Sequence, residues 1–315
     1  MAGMGNVKTV KKAYGGWKNC LHISNGIVEA VATLDVGPRI IRFGYAGGDN
    51  EFYENPAQIG TTGGEGWKIY GGHRLWHSPE CDPRTYAPDN EKITWERVRN
   101  GVKLLQPVES LTGLRKTMIM ALSPDRAAAR VEHRLTNEGQ WEIELAAWAL
   151  SVMAPGGRQV IPENTEDTGL LPNRSLTLWP YTRMNDPRLT WGSRYIFLDQ
   201  DPEAKGPVKI GLPLEKGWAA YANRGRLFVK AAGYCNCGEC HYPDNGCSYE
   251  TYTNDCMMEM ESLSPLVRLA PGETLIHEET WHLADRVPCP ATEEEADREI
   301  AARVDALLKE DAFHA

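Results

Sequence analysis

The chain has 315 residues, 42% of them apolar, enough to bury a large core in one big all-β domain or in two smaller ones. Its net charge of -9 and pI near 5.5 leave no basic stripe for phosphates, which speaks against nucleic acid and anionic membrane as partners and for a neutral or weakly charged small molecule. No run of about 18 apolar residues occurs, and the lysines near the N-terminus precede no apolar segment, so a soluble, cytoplasmic protein is expected.

In chain order, period-two alternation dominates. "IVEAVATLD" (Ile27 to Asp35) follows Asn25-Gly26, a dipeptide suited to a tight hairpin because both positions tolerate positive φ. "RIIRFGY" follows Gly37-Pro38 and ends at "AGGDN". "AAARVEHRLTN" and "WEIELAAWALSVM" read as strands joined by the "NEGQ" turn, and "RLFVKAAGY", "CMMEMESLS" and "ETLIHEETWHL" have strand length with turn residues on both sides. The segment "APGGRQVIPENTEDTGLLPNR" reads as a long loop, of the kind that tends to be functional. Helical spacing appears only at the C-terminus. There Thr292 precedes Glu295 at capping-box distance, and Ile300, Val304, Leu307 and Leu308 form one apolar stripe. The expected organisation is a large antiparallel β-sandwich over residues 1–290 and a C-terminal amphipathic helix over 291–315, packed on the sandwich.

Ten tryptophans against five phenylalanines lean towards carbohydrate, because aromatic rings stack on the C–H faces of sugars. Glu259 and Glu261, two apart on one strand, leave the same face, while Met258, Met260 and Ser262 leave the other. That face must be wet or line a polar cleft, since two carboxylates are not left ionised and unpaired in an apolar interior. His73 and His77 in "GGHRLWHSPE" have the spacing of a helical metal pair. The flanking Gly71-Gly72 and Ser78-Pro79 leave no room for a helix, and in an extended chain the two histidines stand about 13 Å apart. A sugar-binding loop or a plain turn fits this stretch better. Isolated cations, among them Arg39, Arg74 and Lys209, could pair with an anionic sugar or pin loops to acids. Cys235, Cys237, Cys240 and Cys247 have spacings compatible with a structural zinc knot; reduced loop thiols are the plainer reading, and no metal or cofactor is called for.

The order of "NGIVEAVATLDVGPRIIRFGYAGGDNEF", "GGHRLWHSPE", "HRLTNEGQWEIELAAWALSVMAPGG", "LLPNRSLTLWPYT", "YPDNGCSYETYTNDCMMEMESLSP" and "APGETLIHEETWHL" resembles the galactose mutarotase-like family, close to an uncharacterised branch related to aldose 1-epimerases. The resemblance spans most of residues 20 to 285. It implies a β-supersandwich and cofactor-free acid/base chemistry at the anomeric carbon of a free or anionic sugar, with a histidine as acid and a glutamate as base. By its place before Pro265, Glu261 matches the base, with Glu259 beside it to accept a sugar hydroxyl or raise its neighbour's pKa. The strand that carries the family's acid reads "IELAAWALSVM" here and has Trp148 and no histidine. His73 lies where a second family histidine binds sugar and is the expected acid, with Arg39, Arg74, His77, Trp148, Trp179, Lys209 and Glu259 as substrate-binding residues. The missing histidine keeps two alternatives open: a non-catalytic carbohydrate-binding protein on the same fold, or a sugar lyase or other isomerase using the same cleft. The sequence leaves the oligomeric state open.

Overall fold

The structure is a computed structural model and describes residues 7–309. Two antiparallel sheets face each other. The larger, of 11 strands, runs in the order Lys8–Tyr14, Trp17–Ser24, Val28–Thr33, Arg39–Tyr45, Gly72–Ser78, Ile143–Met153, Met258–Leu263, Tyr249–Thr253, Val208–Leu212 and Thr177–Leu178, with Val267–Leu269 added beside Ile143–Met153. The smaller, of 10 strands, places Thr274–Asp285 and Arg226–Ala232 at its centre, with Ala128–Asn137 and Leu114–Leu122 following on one side. The all-β sandwich expected from the alternation is the architecture found.

Alternation decides what lies between the sheets. Leu75, Ala147, Met258, Met260, Val208 and Ile210 of the larger sheet pack on Met118, Val131, Phe228 and Trp281 of the smaller. Phe43, Phe52, Phe228 and Trp281 meet there in edge-to-face and tilted pairs, with centroids 5.4 to 6.4 Å apart. The hairpin turns at Asn25-Gly26, although only Gly26, at φ +88°, takes the left-handed region; the Asn25 side chain donates instead to the carbonyls of Ser123 and Arg126.

Thr292 accepts the Glu295 N–H at 3.2 Å, the cap read from the sequence, and opens a helical run through Lys309. Its Ala296, Ile300 and Val304 pack on Val160, Phe197, Ala220 and Val229, on the outer face of the smaller sheet.

Two local expectations need correction. "GGHRLWHSPE" is no loop: Gly72–Ser78 is a buried strand in the middle of the larger sheet, paired with Arg39–Tyr45 and Ile143–Met153. The glycine and proline signals that looked like a turn bound a strand of seven residues. The stretch 154–174 is likewise not loop throughout, since Arg158–Pro162 is a strand of the smaller sheet.

Candidate functional site

On the outer face of the larger sheet, turned away from the core, even-numbered residues of Gly72–Ser78 and Ile143–Met153 meet odd-numbered residues of Met258–Leu263 and Val208–Leu212. Arg74, Trp76, Trp148, Leu150, Glu259 and Lys209 therefore share one surface. Loops supply Trp67, Glu80, Tyr86 and Tyr181, and a cavity of about 260 Å³ lies among them. Two larger cavities, about 430 Å³ beside Asp89 and Glu109 and about 580 Å³ beside Ile276 and Leu308, lack tryptophan and tyrosine walls.

Charge in this cleft is paired internally. Arg74 Nη1 donates to Glu259 Oε1 at 2.9 Å, and its guanidinium lies 4.4 Å from the Trp76 ring centroid and 5.3 Å from that of Trp67. Lys209 Nζ sits 2.7 Å from Glu250 Oε2 and 3.2 Å from Glu261 Oε2, and it lies 4.4 Å from the Trp148 centroid and 4.5 Å from that of Trp179. The Trp148 indole N–H donates to Glu261 Oε2 at 2.8 Å. Each cation thus touches carboxylate and indole together, interactions that strengthen away from water.

Burial opposes the charge of Lys209, but Glu261 and Glu250 outweigh it and hold the ammonium above its ordinary pKa. Burial also pushes both carboxyls up. Glu250 rises furthest, with Lys209 opposing the rise and Glu261 and Asp244 adding to it; Glu261 rises less sharply, with Lys209, Arg74 and the Trp148 N–H favouring its charged form. Glu259 adds to the rise of Glu261, the neighbour effect read from their spacing. On the cleft wall, the Tyr86 hydroxyl donates to Glu80, and burial followed by that carboxylate pushes the phenol up.

Arg74, Trp148, Trp179, Lys209 and Glu259 are thus brought together. Glu261 belongs to the same face but lies fully buried beneath Trp148 and Lys209. Three residues fall elsewhere. Arg39 is fully buried and donates to the carbonyls of Lys68 and Ile69 and to Asp89, so it pins the chain around residues 68–71. His73 and His77 are odd-numbered on their strand and point into the core, which removes His73 as an acid facing Glu261 across a cleft. Both ring nitrogens of His77 lack hydrogen-bond partners among the described residues.

His73 joins a network between the sheets. Its Nε2 lies 2.7 Å from His133 Nε2, its Nδ1 lies 2.8 Å from Ser151 Oγ, and His133 Nδ1 donates to the His277 carbonyl at 3.1 Å. Lys230 Nζ pairs with Glu279 Oε2 at 3.0 Å and donates to Ser151 Oγ and to the carbonyls of Ala149 and Met260. Glu279 also accepts from Ser262 and from the Trp281 indole. Ligand atoms of His73, His133 and Glu279 converge within 4.8 Å. Yet Lys230 already balances the Glu279 charge and each ring nitrogen named has a partner, so the cluster is complete as a neutral hydrogen-bond network.

Sequence reasoning missed Trp67, Trp76, Tyr86, Tyr181, Tyr252, Glu80 and Glu250. Strand alternation alone would have found two of them: Trp76 is two residues from Arg74, and Glu250 pairs in register with Glu261.

No family model and no curated protein matches this chain. Solved structures do. A galactose mutarotase-like protein from Lactobacillus casei aligns over 84% of this chain and 100% of its own, with TM-score 0.57 and 11% identity. Another from Clostridium acetobutylicum covers 89% of this chain and 99% of its own, with TM-score 0.56 and 10% identity. A galactose mutarotase related enzyme from Lactobacillus acidophilus covers 85% and 98%, with TM-score 0.51 and 9% identity. The fold is galactose mutarotase-like. At such identities the galactose mutarotase-like likeness is one of architecture, and the cleft chemistry has to be argued from the side chains present.

Proposed function

We propose that this chain is a carbohydrate-active protein whose cleft takes a single neutral sugar ring. The observation that carries the reading is the pairing of both cleft cations with the protein's own carboxylates, Arg74 with Glu259 and Lys209 with Glu250 and Glu261, among tryptophan and tyrosine walls. An anionic sugar would have to displace a buried carboxylate from its cation, whereas a neutral ring meets aromatic surface with carboxylate and phenol oxygens at its rim. The cavity is small beside the roughly 300 to 1,000 Å³ of drug-sized sites, in keeping with one ring. Calorimetric titration with neutral, acidic and phosphorylated monosaccharides tests this. A neutral sugar should bind, and Tyr181→Ala at the exposed rim should weaken it by about tenfold, the equivalent of about 1.4 kcal/mol. Tighter binding of uronates or sugar phosphates than of every neutral sugar would refute it.

A second reading adds catalysis at the anomeric carbon. It is favoured by Glu259 opening on a cavity that Tyr86 and Glu80 also line, which offers a base and a proton donor around one ring without a histidine. NMR exchange between anomers of the bound sugar, fast with the unaltered protein and slow with Glu259→Gln, is the expected result. Binding without accelerated exchange would leave a carbohydrate-binding protein.

A further inference from the structure

Residues 233–241 leave the strand Arg226–Ala232 and reach the turn Pro243–Gly246. Asn236, Cys237, Gly238 and Glu239 are exposed, and none of the loop's side chains enters a hydrophobic cluster, so packing does not order this segment. Besides the Leu266 N–H, which donates to the His241 carbonyl at 2.7 Å, three contacts give it its shape. The Cys240 N–H donates to the Cys237 carbonyl at 3.0 Å, the Cys235 N–H donates to the Tyr242 hydroxyl at 2.8 Å, and Tyr234 stacks on Tyr242 with centroids 5.3 Å apart and planes 10° apart.

Within that frame three sulfurs converge. Cys235 and Cys240 form a disulfide, and Cys237 Sγ lies 3.2 Å from Cys235 Sγ and 3.1 Å from Cys240 Sγ. A crosslink accounts for two sulfurs only. The third sits on an exposed residue with no packing reason to touch both. Cys247 stands outside the group: it is buried, and its thiol donates to the Asp244 carbonyl at 3.0 Å.

We propose that, in the reduced protein, Cys235, Cys237 and Cys240 together bind one thiophilic d¹⁰ cation, Zn²⁺. A dithiol reductant first gives two electrons and two protons to the Cys235–Cys240 disulfide and itself becomes a disulfide. The three thiols then release three protons to buffer as three zinc–sulfur bonds form. Tetrahedral zinc with bonds near 2.3 Å sets its sulfurs about 3.8 Å apart, so all three sulfurs spread once the crosslink opens, those of Cys235 and Cys240 most. The fourth position faces solvent and takes water. Soft thiolates at C-x-C and C-x₂-C spacing suit zinc over magnesium or calcium, which prefer oxygen. The same three sulfurs thus serve two covalent states of one loop, a disulfide under oxidation and a metal clip under reduction.

The test uses the full chain, reduced with dithiothreitol and freed of reductant by anaerobic gel filtration. Addition of Co²⁺ should produce a thiolate-to-cobalt charge-transfer band that saturates at one ion per chain and is abolished by one equivalent of Zn²⁺. Cys237→Ser leaves the disulfide partners intact and should weaken zinc binding by more than the roughly 10- to 100-fold of an outer-shell change. Cys247→Ser should bind as the unaltered chain does. Absence of the band in the unaltered protein, equal affinity in Cys237→Ser, or loss of binding in Cys247→Ser would each overturn the proposal.

Discussion

Lys209 stands between Glu250 and Glu261 with an indole on either side, and its charge is what makes two buried carboxyls tolerable. Lys209→Met removes that charge and should destabilise the fold by about 3 to 5 kcal/mol at neutral pH. The pH dependence has a definite sign. Glu250 and Glu261 already have raised folded-state pKa values, and loss of Lys209 raises them further. Groups of that kind contribute stability below their unfolded pKa and lose it as pH rises through the folded one. The defect should therefore be largest near pH 8 and shrink towards pH 5 in urea melts, and a defect that grew on acidification would contradict the arrangement. Lys209, Glu259 and Glu261 were legible in the sequence because side chains on a strand alternate. That Glu261 lies under the cleft floor was not, because its depth depends on Trp148 and Lys209 arriving from other strands.

At the scale of the element, the strand Gly72–Ser78 shows why flanking signals misled. Gly71 and Gly72 both have positive φ, and a Cβ on Gly72 would meet the Ile40 carbonyl oxygen at 2.4 Å and the Ile41 Cα at 2.7 Å. The glycines are there because the strand enters the sheet hard against the backbone of its neighbour. Gly72→Ala should cost more than about 3 kcal/mol, from left-handed strain and backbone overlap together. Gly26→Ala, at φ +88° with nothing within 4 Å of the added carbon, should cost only about 1 kcal/mol. Equal thermal shifts for the two variants would rule out close approach as the reason for Gly72. Once the segment is a strand, period two assigns the rest: Arg74 and Trp76 go to the cleft, and His73 and His77 to the core. Sequence alone could not choose strand over loop, since the same glycine and proline residues end both.

Across the whole molecule, the histidines between the sheets tie stability to pH. Burial holds His77, His133 and His277 down to about 3 and lowers His73 as well, against about 6.5 in an unfolded chain. The native state keeps them neutral while the unfolded state takes up protons, so stability is complete above about pH 6.5 and lost as pH falls towards 3. Each contributes a slope on the order of 1.4 kcal/mol per pH unit well below pH 6.5. His77→Leu removes one such group, with two unpartnered buried nitrogens. It should raise stability at pH 7 by about 1 kcal/mol and flatten the acid limb by one proton. Denaturant melts from pH 7 to pH 4.5 read both, and an unchanged acid slope would mean that His77 is not held neutral.

The linear chain by itself determined the class of fold, the capped C-terminal helix, the hairpin at Asn25-Gly26 and the shared face of Glu259 and Glu261, because each rests on contacts a few residues apart or on the fixed period of a strand. Only the tertiary structure decided which face of the larger sheet is core and which is cleft. That choice follows from where the second sheet packs, and it turned His73 inward and brought Trp67, Tyr86 and Tyr181 from distant loops over Lys209 and Arg74. Sequence periodicity reports that two faces differ; burial against a partner sheet, driven by the apolar area removed from water, assigns which is which.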